Sequence, residues 1–147
     1  MNVYSANELV SCLIKVVSAA LPEYTGYAEA LPNPDLQRPQ SHAPLFVVQS
    51  LGGSDARSGA SVQIRIVLER VIDEESATIG AIHHAIREDI AAVKLALFAN
   101  SGYPWGCRFG ALAWSIFEAD IRPVVQAHIS TTFEIPHPVY DNNDFLV

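Results

Sequence analysis

The run from Val125 to Ile135, VQAHISTTFEI, sets Val125, Ala127, Ile129, Thr131, Phe133 and Ile135 on alternate positions, with Gln126, His128, Ser130, Thr132 and Glu134 between them. Strict period-two alternation is the pattern of a strand with one face buried and one face wet. Its apolar face needs a layer to cover, which the rest of the chain has to supply. At about eleven residues it also exceeds the usual five or six, so its excess length is expected to project beyond the domain and pair with a neighbour.

Upstream, Ser5-Ala-Asn-Glu8 has the form of a capping box, and Leu9, Leu13, Val16, Val17 and Ala20 follow at helical spacing until Pro22. A first amphipathic helix is expected there. Residues 22–44 carry Pro22, Pro32, Pro34, Pro39 and Pro44 with no sustained period, which reads as an irregular surface crossing. Two strands follow, at 45–51 (LFVVQSL) and 61–71 (SVQIRIVLERV), joined by GGSDARSG as a flexible hairpin tip. In the second, Val62, Ile64, Ile66 and Leu68 face the core and Gln63, Arg65 and Glu69 face away.

Ile79, Ile82, Ile86, Ile90, Val93 and Leu97 then recur at steps of three and four, the stripe of a long helix. Spanning 76–99, it would be about 36 Å long. Asp73, Glu74 and Glu75 precede it, where negative charge suits a helix N-terminus, and Asn100-Ser101-Gly102 ends it. Strands at 109–117 and 124–135, turned by Asp120 to Pro123, complete the order α-β-β-α-β-β. The economical packing is one α+β domain over 1–136: a mainly antiparallel sheet of two hairpins, with the N-terminal helix and the long helix on one face. Residues 137–147 form a C-terminal extension.

Nine Lys and Arg against sixteen Asp and Glu leave a net charge of −7, and the basic residues are dispersed. A surface that grips phosphate backbones is thereby disfavoured. Half the residues are hydrophobic and only 17% are charged, so apolar surface is left for partners, and self-association is expected. Cys12 and Cys107 follow no ligand spacing and read as free thiols of a reducing compartment. With no basic n-region at the start and no apolar run long enough for a span, the chain reads as soluble and cytoplasmic.

Signals of chemistry are sparse. GGSDARSG lacks the Lys and spacing of a P-loop, and no G-x-S-x-G elbow is present. His83 and His84 point about 100° apart on a helix. His84 and Glu88 supply two ligands with no third. Asp141-Asn-Asn-Asp144 lacks the Gly and final Glu of a calcium loop. Arg57, Arg65, Arg70 and Arg108 nominate no groove, and Trp105, Cys107 and Trp114 read as packing. No catalytic residue, metal or cofactor is expected, and the chain is not expected to be an enzyme.

An amphipathic first helix, a hairpin beginning APLFVVQS (43–50), a long helix after IRIVLERV (64–71), then LAWSIFEAD (112–120) and PVVQAHISTTFEIP (123–136) together resemble the tail terminator, or tail completion, proteins of long-tailed bacteriophages and prophages. The resemblance covers roughly residues 5–136 and is one of pattern, with no catalytic motif. It implies a virion structural protein made in the bacterial host cytoplasm. Such proteins form a ring, usually a hexamer, on the head-proximal end of the tail tube, stopping tube growth and presenting a surface for the head-tail connector or stopper. DNA would pass through without specific binding, so a neutral or acidic bore is expected. On that reading the polar row Gln126, His128, Ser130, Thr132 and Glu134 faces the bore or a subunit contact. Asp55 and Arg57 make hairpin-tip contacts, and Tyr140, Phe145 and Leu146 anchor a C-terminal arm. Another neck or adaptor protein of the same kind of virion, or a small enzyme with convergent polar groups, are the alternatives.

Overall fold

A computed structural model of the chain describes residues 3–29, 44–71, 79–100, 108–118 and 124–136. Helix α1 (Ala6–Ala20) starts at Ser5, whose hydroxyl accepts the Glu8 N–H at 3.1 Å and donates to the Glu8 carboxylate at 3.2 Å. The expected cap is present, although Glu8 answers the Ser5 hydroxyl. The helix closes with Leu21 N–H donating to the Val17 carbonyl at 2.8 Å, just before Pro22. It buries Leu9, Val10, Leu13 and Val17, the stripe its spacing dictates.

The expected irregular crossing contains a strand. β1 (Thr25–Ala28) pairs in parallel with the start of β2 (Leu45–Ala56), Thr25 beside Leu45 and Ala28 beside Val48. Four residues, TGYA, are too few to show a period, and a parallel partner is set by tertiary contact rather than by a turn. Gly26 is required because a Cβ there would lie 2.3 Å from Cζ of Phe46. Glu29 follows β1 at a positive φ of 67°. Its carbonyl accepts Gln49 Nε2 at 3.1 Å and its carboxylate accepts Ser50 N–H at 3.3 Å.

The glycine-rich tip is also strand. β2 continues to Ala56 and β3 runs Gly59–Val71, so only Arg57 and Ser58 form the turn. A bulge at Leu51, between the pairs Ser50–Ile64 and Gly52–Gln63, lets the hairpin carry on. Gly53 is needed where its backbone crosses β3, since a Cβ would approach the Ser61 carbonyl oxygen to 2.0 Å.

Helix α2 (Ile79–Asn100) follows. Asp73, Glu74 and Glu75, the expected acidic lead-in, lie outside the described residues, as do Ser101 and Gly102. Ile82, Ile86, Ile90, Val93 and Leu97 are buried, as the stripe requires. They and α1 cover one face of the sheet, meeting Phe46 and Val48 of β2, Ile64, Ile66 and Leu68 of β3, and Val125, Ala127, Ile129, Phe133 and Ile135 of the last strand.

The single strand expected at 109–117 is two: β4 (Arg108–Phe109) and β5 (Ala113–Glu118). Both pair with β6 (Val124–Pro136), Phe109 with Phe133 and Ala113 with Ser130, so four steps on one side answer three on the other. That extra residue reverses which side chains face the helices. Trp114 and Ile116 share the helix side with Ile129 and Ala127, while Phe117 shares the outer face with Gln126. Thr131 Oγ1 donates to the Ala111 carbonyl at 3.0 Å and holds the bulge.

The sheet order is β1-β2-β3-β6-β4, with β5 also on β6, and every pairing but β1–β2 is antiparallel. The architecture is α+β with the element order α-β-β-β-α-β-β-β. β6 does not use its length as the sequence suggests. All of it, Val124 to Pro136, pairs with β3, Val71 to Gly59, so its far half supports the chain's own hairpin rather than a neighbour.

Candidate functional site

The alternating polar row of β6 lies on the sheet face opposite both helices, with Thr132 and Glu134 exposed and Gln126, His128 and Ser130 half-buried. It is not uniformly wet. Gln126 Nε2 donates to Glu69 Oε1 at 3.0 Å, and Glu69, expected to face solvent, is 1% exposed beside buried Val67. Lower down, Arg65 Nε donates to Gln49 Oε1 at 2.9 Å, while its cross-strand neighbour is Ser130. The His128 and Phe117 rings meet near-perpendicular, with centroids 4.4 Å apart.

Burial, and secondarily the Arg65 charge, push the His128 pKa below its ordinary value. A depressed imidazole stays neutral in the fold while the unfolded chain takes up a proton, so its contribution is present above the unfolded pKa of about 6.5 and declines as pH falls below it. His128→Gln should therefore flatten the loss of stability just below that pH, as read by thermal melts across the range. An unchanged slope would show that His128 does not report the burial of this face.

Asp55 does not join the row. It pairs with Ala60, which pairs with Ile135, and so has the parity of the helix side, beyond the helices; Arg57 sits in the exposed turn. The bulge at Leu51 causes this, since it shifts β2 by one residue relative to its own first half. The tip instead brings Ser54, Ser61, Glu134 and Arg108 into one row across four strands, along a groove of about 370 Å³ that also reaches Ser58 and Pro136. Tyr140, Phe145 and Leu146, the expected arm anchors, lie outside the described residues, as do Trp105, Cys107 and Asp141 to Asp144.

The polar group that sequence reasoning missed is internal. Asp89, 9% exposed on α2, accepts the Tyr24 hydroxyl and a two-point contact from Arg70, Nε to Oδ2 and Nη2 to Oδ1 at 3.1 Å. The Arg70 guanidinium lies 5.4 Å above the Tyr24 ring. Burial first, then the Asp89 hydrogen bond, raise the Tyr24 pKa, and the same carboxylate raises that of Arg70. This triad ties α2 to β3 and to the segment after α1. Its signal is visible in retrospect: Asp89 continues the spacing Ile82, Ile86, Asp89, Val93, an acid on the apolar stripe.

Around the helix edge, His83 Nε2 is 3.2 Å from Glu118 Oε1, Lys94 Nζ lies 5.5 Å from the Trp114 ring, and Phe98, Phe109 and Phe133 stack in sequence at 5.3 and 5.2 Å. His84 stays apart from this cluster. Among the described residues no three His, Cys, Asp or Glu side chains converge as metal ligands, and no helix is long and apolar enough to cross a membrane.

No protein-family model matches the chain. None of the curated proteins matches it. Among solved structures, a chain from the virion of a native gene transfer agent particle aligns over 86% of this chain and 91% of that chain, at 12% identity and a TM-score of 0.41.

Proposed function

We propose that this protein is a tail terminator: a virion structural protein, without catalytic activity, whose copies close into a ring of six on the head-proximal end of a phage tail tube. The ring stops tube growth, offers its other surface to the head-tail connector or stopper, and lets DNA pass. The observation that supports this most directly is the long β2–β3–β6 platform. From Leu51 to Ser58 every residue is exposed, and the strands present a polar face and, from Gly52 to Asp55, an edge that no described residue covers. Such a surface suits pairing with other protein strands. Its outer-face side chains around the tip, Ser54, Ser61, Thr132, Glu134 and Arg108, are neutral apart from one acid and one base. A lining of that balance limits attraction to moving phosphates. The sequence resemblance over residues 5–136 supports the same reading.

The test is capping. Purified protein mixed with tail tubes polymerised from a tube protein of the same genome should give tubes with one blunt, thickened end in negative stain and should halt further elongation. Tubes that keep growing at both ends, with the protein folded and unbound, would remove the terminator reading and leave a neck adaptor as the next to test.

A further inference from the structure

We infer that a second copy of this chain pairs, strand to strand, with the bare edge of β2, and that the partner strand is β5. This rests on the ring-forming reading above and names its contact. Among the described residues β1 covers β2 only as far as Val48, and Glu29 takes the Ser50 N–H, so the edge is open from Gly52 to Asp55. At the other side of the sheet, among the described residues, β5 pairs with β6 alone, and Trp114 and Phe117 are 48% and 40% exposed. Natural edges are blunted by Lys, Pro or inward-pointing charge. Neither GGSD nor AWSIFE holds a Lys or a Pro; of the helix-side acids, Glu118 is already met by His83 at 3.2 Å, and Asp55 is the one charge the pairing has to satisfy.

Direction, face and charge then agree. β2, β3, β6 and β5 alternate in direction, so a copy related by rotation, with its β2 beyond this β5, continues the antiparallel order with both copies' helices on one side. Matching of faces allows Ser115 opposite Gly52, Ser54 or Ala56 on the outer face, and the Lys94 ammonium over Trp114 favours Ser54, which sets Asp55 opposite Trp114 on the helix side. Ile116 and Phe117 then fall opposite Gly53 and Gly52, and nothing lies within 4 Å of where a Gly52 side chain would begin. The partner's Asp55 carboxylate arrives beside Trp114, over which Lys94 already holds its ammonium. Ser54 lies at the level of Glu134 on β6 and Ser115 at the level of His128. The pairing therefore steps along the strands by about 20 Å for each four-strand width of about 19 Å, a tilt of about 45°, at the upper end of what closed sheets show.

The test is a paired cysteine. With Cys12 and Cys107 replaced by Ala, Ser54→Cys with Ser115→Cys should give disulfide-linked multimers on oxidation, whereas Ser54→Cys with Ile116→Cys, on opposite faces, should not. Independently, Asp55→Lys or Lys94→Glu alone should weaken self-association at least about tenfold, equivalent to about 1.4 kcal/mol, and the two together should restore it, as read by light scattering. Rings that form without the 54–115 link and ignore the charge swap would overturn the edge pairing while leaving the ring intact. A folded protein that stays monomeric at its highest soluble concentration, with no link formed, overturns the pairing. If it also fails to cap tubes, the ring reading is lost as well.

Discussion

Asp89→Ala is expected to destabilise the fold by about 3 kcal/mol, at the lower end of the range for breaking a buried ion pair, because Arg70 remains partly open to solvent. The carboxylate serves two partners at once, the Tyr24 hydroxyl and the Arg70 guanidinium. Removing it leaves a buried hydroxyl and a part-buried cation without their acceptor, and the desolvation already incurred is not recovered. Asp89→Asn should cost less, since the amide oxygen still accepts the Tyr24 proton. Combining Asp89→Ala with Arg70→Met should recover a large part of the loss, because the stranded charge is gone. Urea denaturation of these variants, of Arg70→Met alone and of the unaltered protein checks this, and additive losses in the double variant would show that the two residues act separately. The alkaline limb has a definite sign as well. With the Tyr24 pKa raised, its contribution holds below the unfolded tyrosine value of about 10 and fades as pH climbs through the folded one.

Ile86→Ala should cost about 2–5 kcal/mol, and Ile90→Ala a similar amount. Ile86 is 0% and Ile90 2% exposed, at the centre of the layer that joins α2 to α1 and the sheet. Truncation leaves a void that neighbours held by a thirteen-residue strand pair cannot readily fill. Leu95→Ala on the same helix is the control. Leu95 is 73% exposed, so its change should stay within about half a kcal/mol. Equal losses at Ile86 and Leu95 would show that α2 packs by the other face.

Much of this arrangement is legible in the order of the amino acids. Ser5 and Glu8 mark the start of α1, the isoleucine spacing marks the buried side of α2, and the alternation from Val125 to Ile135 marks both the strand and its inward face. These are local signals: a cap spans four residues, and helical and strand periods repeat within a few turns or pleats. They also settle the class, because two helical stripes and several alternating strands pack economically only as helices on one face of a sheet.

What the sequence alone could not carry is everything that depends on a partner distant in the chain. The bulges at Leu51 and at Gly110 to Leu112 each add one residue against an opposing strand, and one residue is enough to exchange the two faces of all that follows. So Asp55, expected as a hairpin-tip contact, takes the parity of the helix side, and Trp114 comes to the helix side beside Lys94. β1 needed β2 already in place to become a strand at all, and the length of β6 acquired its use only when β3 was found to match it. Asp89 reads as a surface acid until Tyr24 and Arg70 arrive from elements 65 and 19 residues away. Periodicity states which residues want to be covered; the register between strands, set by contacts across the whole chain, decides what covers them and which edges are left bare.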